Sequence, residues 1–137
     1  MTEKQIEEFK AELRRYKRLI GIQAHLREKL DVMFYDLTGV KAIAFDKIKG
    51  TLNQQAIEYR KLEMLDEYED TLMTYNLISE RIKRIQRVLN QMKSEDRIMF
   101  MMKYLDGLSF YTLGKVNYMS KSSIIRYMDE TLKRLKL

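Results

Sequence analysis

The sequence predicts an all-α protein: a long antiparallel helical hairpin, coiled-coil-like, followed by a three-helix helix-turn-helix unit. Three observations carry that expectation. Five glycines and no proline in 137 residues leave few residues suited to the tight turns that join many short strands. Apolar residues recur in steps of three and four over two stretches far longer than an ordinary helix. After Lys93 the pattern breaks into three short stretches, each opened by a serine, a residue that favours helix N-termini.

The first helix is expected from Thr2 to about Leu37. Its apolar residues fall at Ile6, Phe9, Leu13, Tyr16 and Ile20, after which the stripe shifts by one through Leu19, Ile22, Leu26, Leu30, Met33 and Leu37. Glu3, Glu7 and Glu8 near its start, with Arg27 and Lys29 later, suit the helix dipole. From Gly39 to Gly50 the period changes, because Val40, Ala42 and Ala44 alternate with Lys41, Ile43 and Phe45. That segment reads as an ordered connector, in which a lone strand would need another copy of the chain or another molecule to pair with. Thr51 and Gln54 stand as a capping box, and a second helix follows to about Met92. Its expected stripe is Leu65, Tyr68, Leu72, Tyr75, Ile82, Ile85, Leu89 and Met92, interrupted at Ser79. Two such helices joined by one connector fold back as an antiparallel hairpin. Neither buries its stripe alone, so self-association is expected, a dimer first of all.

The chain therefore divides into residues 1–93, a hairpin and oligomerisation region with its connector at 38–52, and residues 94–137. In the second part Ser94 is expected to cap a helix carrying Ile98, Met99, Met102 and Leu105 that stops at Gly107. Ser109 caps a second, with Phe110, Leu113 and Val116. Asn117, Tyr118 and Met119 form the turn. Ser120 caps a third, with Ile124, Tyr127, Met128, Leu132 and Leu135 facing the other two.

Composition bounds the chemistry. Hydrophobic residues make up 45% of the chain and charged residues 34%, enough to build a core. The absence of cysteine and the single histidine, His25, exclude thiolate metal sites, disulfides and any relay needing two imidazoles. No stretch approaches the roughly 18 apolar residues of a membrane span, and the start lacks a signal-peptide layout. A cytoplasmic protein without membrane partners is expected. No phosphate-cradling glycine loop, nucleophile elbow or zinc spacing is present, so neither enzyme activity nor a cofactor is expected. The carboxylates Glu63, Asp66, Glu67, Glu69 and Asp70 fall around an exposed helix, and the basic runs Arg14 to Arg18 and Arg81 to Arg87 read as solvated faces. The net charge is +6, which favours an anionic partner. Residues 1–93 hold 18 basic against 15 acidic residues and 94–137 hold 8 against 5, so the excess is only denser at the C-terminal end.

A short helix, a tight turn and a longer helix form the layout whose second helix enters the DNA major groove. Base-edge candidates are Lys121, Ser122, Ser123, Ile125 and Arg126. Of these Arg126 suits a guanine edge, Ser122 several bases and Ile125 a thymine methyl. Within this set Lys121, Ser122, Ile125 and Arg126 are expected to be the more exposed. Phosphate candidates are Ser109, Lys115, Ser120, Lys133 and Arg134, and Lys121 also suits the phosphate role. The partner expected is double-stranded DNA.

The residues Asp96-Arg97-Ile98-Met99, Tyr104 to Ser109, Leu113-Gly114, Tyr118-Met119-Ser120 and Leu132-Lys133-Arg134-Leu135 resemble region four of primary-type sigma factors. With the connector Gly39 to Gly50 between two charged helices ahead of such a module, most of the chain resembles the RinA and ArpU group of small phage regulators. That resemblance implies a phage or prophage activator of late packaging and morphogenesis genes that works with host RNA polymerase. The recognition helix starts with Lys121, Ser122 and Ser123 rather than several charged residues, so a −35 preference does not carry over. A small terminase subunit and a coiled-coil adaptor without a DNA role are the alternatives, the first disfavoured by chain order.

Overall fold

The computed structural model describes residues 1–38 and 54–137. They form five helices in chain order: α1 (Glu3–Thr38), α2 (Gln54–Leu89), α3 (Ser94–Tyr104), α4 (Phe110–Val116) and α5 (Lys121–Lys133). The fold class is all-α, as the periodicity predicts. Thr38 of the expected connector closes α1, and residues 39–52, with Thr51 of the expected capping box, lie outside the described residues.

The chain separates into two compact units, one made of Met1–Ile20 with Glu80–Leu137 and the other of Gly21–Ser79. This grouping differs from the boundary drawn at residue 93. The first unit draws on both ends of the long helices. Ile6, Phe9, Leu13, Tyr16 and Leu19 of α1 are buried, as are Ile82, Ile85, Val88 and Leu89 of α2 and, just beyond it, Met92. The three short helices add Met99, Phe100, Leu113, Ile124, Met128 and Leu132. Polar ties run across the same unit. The Lys10 ammonium lies 2.6 Å from the Asp129 carboxylate. The Gln91 side-chain amide both donates to the Lys136 carbonyl and accepts from its N–H. Arg81 donates twice to Glu12, at 2.9 and 3.3 Å. The 44-residue tail shares this core with the ends of both long helices, which covers more of its apolar surface than so short a segment covers alone.

Local sequence explains the short helices. Ser109 and Ser120 cap α4 and α5, their hydroxyls accepting from the N–H groups of Thr112 and Ser123 at 3.1 Å, each worth about 1 kcal/mol. The expected cap at Ser94 is displaced. Lys93 holds the extended cap conformation with no side-chain bond, and Ser94 is already helical. Gly107 adopts φ +74°, a left-handed turn that ends the helical path and lets the Leu108 N–H reach the Met102 carbonyl at 3.1 Å.

Three expected core positions point outward. Ile20, Ile98 and Val116 are exposed, while Phe100 takes the central place. Tyr127 is 38% exposed and reaches inward only through its hydroxyl, which donates to Asp96 at 2.6 Å. Asp96 is buried. Charge alone would have left it in water, and the tyrosine partner makes its burial affordable. Thr131 is buried for a similar reason, its hydroxyl donating to the Tyr127 carbonyl at 2.9 Å.

In the second unit, Gln23 meets Ser79, Arg27 meets Tyr75, and the Phe34 ring lies 6.4 Å from that of Tyr68. Each advance of four or seven residues on α1 matches an equal retreat on α2, which defines one antiparallel register. The seam on α2 differs from the expected stripe. Met64, Tyr68, Thr71, Tyr75 and Ile78 turn inward, whereas Leu65 and Leu72 are exposed. Both stripes share Tyr68 and Tyr75. The inward one is completed by Thr71, whose hydroxyl donates to the Glu67 carbonyl at 2.8 Å and so tolerates burial.

Candidate nucleic-acid interface

The turn between α4 and α5 is built around one close backbone approach. Gly114 is buried, and a Cβ at that position would stand 2.5 Å from the Met119 carbonyl oxygen. Only glycine lets the turn fold back so tightly, and the Met119 N–H then donates to the Gly114 carbonyl at 2.8 Å. The Asn117 side chain donates to the Leu113 carbonyl at 2.8 Å. Tyr118 takes the left-handed conformation at φ 57°, at a cost of about 1 kcal/mol for a residue with a side chain.

The turn delivers α5 with one face buried and the other open. Ile124, Met128, Thr131 and Leu132 are buried, which places Ser122, Arg126, Glu130 and Lys133 on the opposite side at helical spacing. At about 1.5 Å per residue, the 13 residues of α5 span roughly 20 Å, long enough to lie in a major groove.

The base-edge candidates divide. Lys121, Ser122 and Arg126 are exposed, and neither Lys121 nor Arg126 pairs with a carboxylate among the described residues. Ser123 is exposed, but its hydroxyl accepts from that of Ser120 at 2.8 Å. Ile125 is half-buried rather than exposed, because it lies one step from the packed face.

The phosphate candidates are scattered. Ser109 and Ser120 serve as caps, and the Ser109 hydroxyl also donates to that of Thr112 at 3.0 Å. The Lys115 ammonium sits 4.5 Å above the Tyr111 ring, a cation–π contact that keeps its charge exposed. Lys133 pairs with Glu130 at 3.1 Å. Arg134 caps the end of α5, three turns from Lys121.

Two features escaped sequence reasoning. Tyr118 is 98% exposed at the turn, an aromatic ring beside the recognition helix. The signal was available: a three-residue turn without glycine still needs a left-handed position. Lys10 also acts here, because its contact with Asp129 offsets a negative charge on the recognition helix. Burial lowers the Lys10 pKa, but hydrogen bonding and charge attraction from Asp129 and the charge of Glu7 outweigh it, leaving the pKa raised.

Charge separates along the structural division. The unit that holds the helix-turn-helix carries 19 basic against 10 acidic residues, while Gly21–Ser79 carries 7 against 10. A division at residue 93 hides this, because it groups the basic ends of both long helices with the acidic hairpin. No group of three histidine, cysteine or acidic residues able to hold a metal occurs among the described residues. No described helix is long and apolar enough to cross a membrane. No protein-family model, curated protein or solved structure matches the chain.

Proposed function

We propose that the protein binds double-stranded DNA in a sequence-specific manner and regulates transcription, as a dimer. One observation carries the reading: a glycine-locked turn presents the exposed, unpaired cations Lys121 and Arg126 from a capped helix on a unit with nine excess positive charges. A packing module needs none of this cationic presentation. Arg126 meets a base edge, Lys121 and Arg134 meet phosphates, and the exposed Tyr118 ring contacts the backbone or sugar beside the recognition helix. Two copies related by a two-fold axis set recognition helices about one helical turn apart or a multiple of it. The resemblance to small phage late regulators extends this reading to activation of packaging and morphogenesis genes with host RNA polymerase.

Sequencing of DNA captured from cells carrying the source genome supplies the site, and electrophoretic shifts on that fragment test the roles. Arg126→Ala should weaken specific binding by about tenfold or more, the cost of a bidentate base contact. Lys121→Ala should weaken specific and random DNA alike. If neither substitution changes the shift, the recognition-helix assignment is wrong. Enrichment at a packaging locus without a transcriptional response would favour a terminase role.

A further inference from the structure

We infer that a groove in the basic unit receives the acidic, apolar outer face of α2 from a second copy of the chain. The groove has a volume of about 870 Å3. Phe9 and Ile85 line it but are buried, Leu137 lines it and is exposed, and the side chains of Arg15, Arg81, Arg84 and Arg87 complete the lining. Glu8 and Glu12 also line it, but Glu12 is held by Arg81 at 2.9 Å and by Arg15 at 3.6 Å. Arg84 pairs with no carboxylate among the described residues, and Arg87 reaches Glu80 only at 3.9 Å. The groove thus offers the exposed apolar side chain of Leu137 beside unspent positive charge. A DNA track is the poorer fit, because phosphate contact gains nothing from an exposed leucine or two carboxylates.

The complementary surface lies on the same chain. On α2, Leu62, Asp66, Glu69, Asp70, Met73 and Leu77 are all exposed and share one side at helical spacing, opposite the seam of Tyr68, Thr71 and Tyr75. The three carboxylates pair with no cation among the described residues. Leu62, Met73 and Leu77 are each more than 60% exposed, an apolar row that invites cover. Two such acidic faces repel each other, whereas one face and one arginine groove attract. The association is therefore unlike-to-unlike, groove to hairpin, and closes when each copy gives one of each. This inference rests on the proposal that two copies act together, and names the surfaces that join them.

Sedimentation equilibrium of the full chain at near-physiological salt tests it with two charge reversals. One variant carries Arg84→Glu and Arg87→Glu, the other Asp66→Lys, Glu69→Lys and Asp70→Lys. Each alone should self-associate at least about tenfold more weakly than wild type, and an equimolar mixture should restore a two-copy mass. Circular dichroism checks that both variants keep their helices. A wild-type chain that stays monomeric overturns both this inference and the dimer. A dimer insensitive to the reversals, or a mixture that does not recover, overturns the interface alone. So does a groove reversal that lowers DNA affinity and leaves the mass unchanged, which would make the groove a phosphate track. The Arg126 substitution addresses DNA recognition separately.

Discussion

The two units differ in how completely they consume their own apolar surface. In the unit formed by both chain ends, Leu113, Ile124 and Leu132 have no exposed surface. Among the described residues of the hairpin unit only Leu30 and Thr71 are buried, while Val32, Phe34, Tyr35, Tyr59, Leu62, Leu65, Leu72, Met73 and Leu77 are exposed. Two helices alone can cover only one stripe of each, and the basic unit adds its three short helices to that pair. The hairpin unit has two amphipathic helices and no third layer. Periodicity alone makes the two stretches look alike, and the difference arises from what else the chain brings to each.

The largest effect should come from Phe100→Ala, which removes a ring 2% exposed. Such a cavity costs about 3–5 kcal/mol, read as a lower midpoint in urea with the slope unchanged. Gly114→Ala comes next. Its Cβ meets backbone rather than a flexible side chain, so the turn must open at a cost of about 1–3 kcal/mol. Thermal unfolding should register the loss, and DNA shifts should weaken further because α5 is displaced.

A smaller effect should appear at high pH. The Tyr127 hydroxyl has its pKa raised, first by its hydrogen bond to Asp96 and then by burial. The Tyr104 pKa is raised by burial. Both phenols hold their protons more tightly in the folded chain than in the unfolded one. Their contribution is therefore complete below the ordinary tyrosine pKa near 10 and is lost as pH rises above it. Melting temperatures should fall as pH rises above about 10, and Tyr127→Phe should flatten part of that fall. An unchanged profile in the variant would remove Tyr127 from the account. The smallest effect should be Leu72→Ala, within about 0.5 kcal/mol of wild type for the single chain. A loss comparable to that of Phe100→Ala would mean the hairpin unit has a core after all.

Much of this contrast was legible in residue order. The shift from Ile20 to Leu19 in the first stripe marks where burial moves on α1, and Ser109, Ser120 and Gly107 announce their helix ends. The turn at residues 117–119 and the inward placing of Ile124 follow from spacing alone. The unit boundary was not legible, because a contact between residue 10 and residue 129 leaves no trace in local pattern. The seam on α2 was misread because threonine counts as polar until its hydroxyl finds a carbonyl within its own helix. Asp96 was hidden likewise, since only the fold brings Tyr127 to it. At the interface, the cations were legible as residue types. Their freedom was not, because pairing such as Lys133 with Glu130, or the use of Ser123 in a cap, depends on side-chain geometry.

The separation of charge has a consequence at the bench. The sequence isoelectric point is about 9.4, which by itself recommends cation exchange at neutral pH. A resin senses the nearest surface within about a Debye length, not the sum over the molecule. This protein should be retained at low salt by a cation exchanger through one unit and by an anion exchanger through the other. Its elution would then report which surface is covered: occupation of the arginine groove or of the recognition helix shortens retention on the first column, and coverage of the acidic helix shortens it on the second.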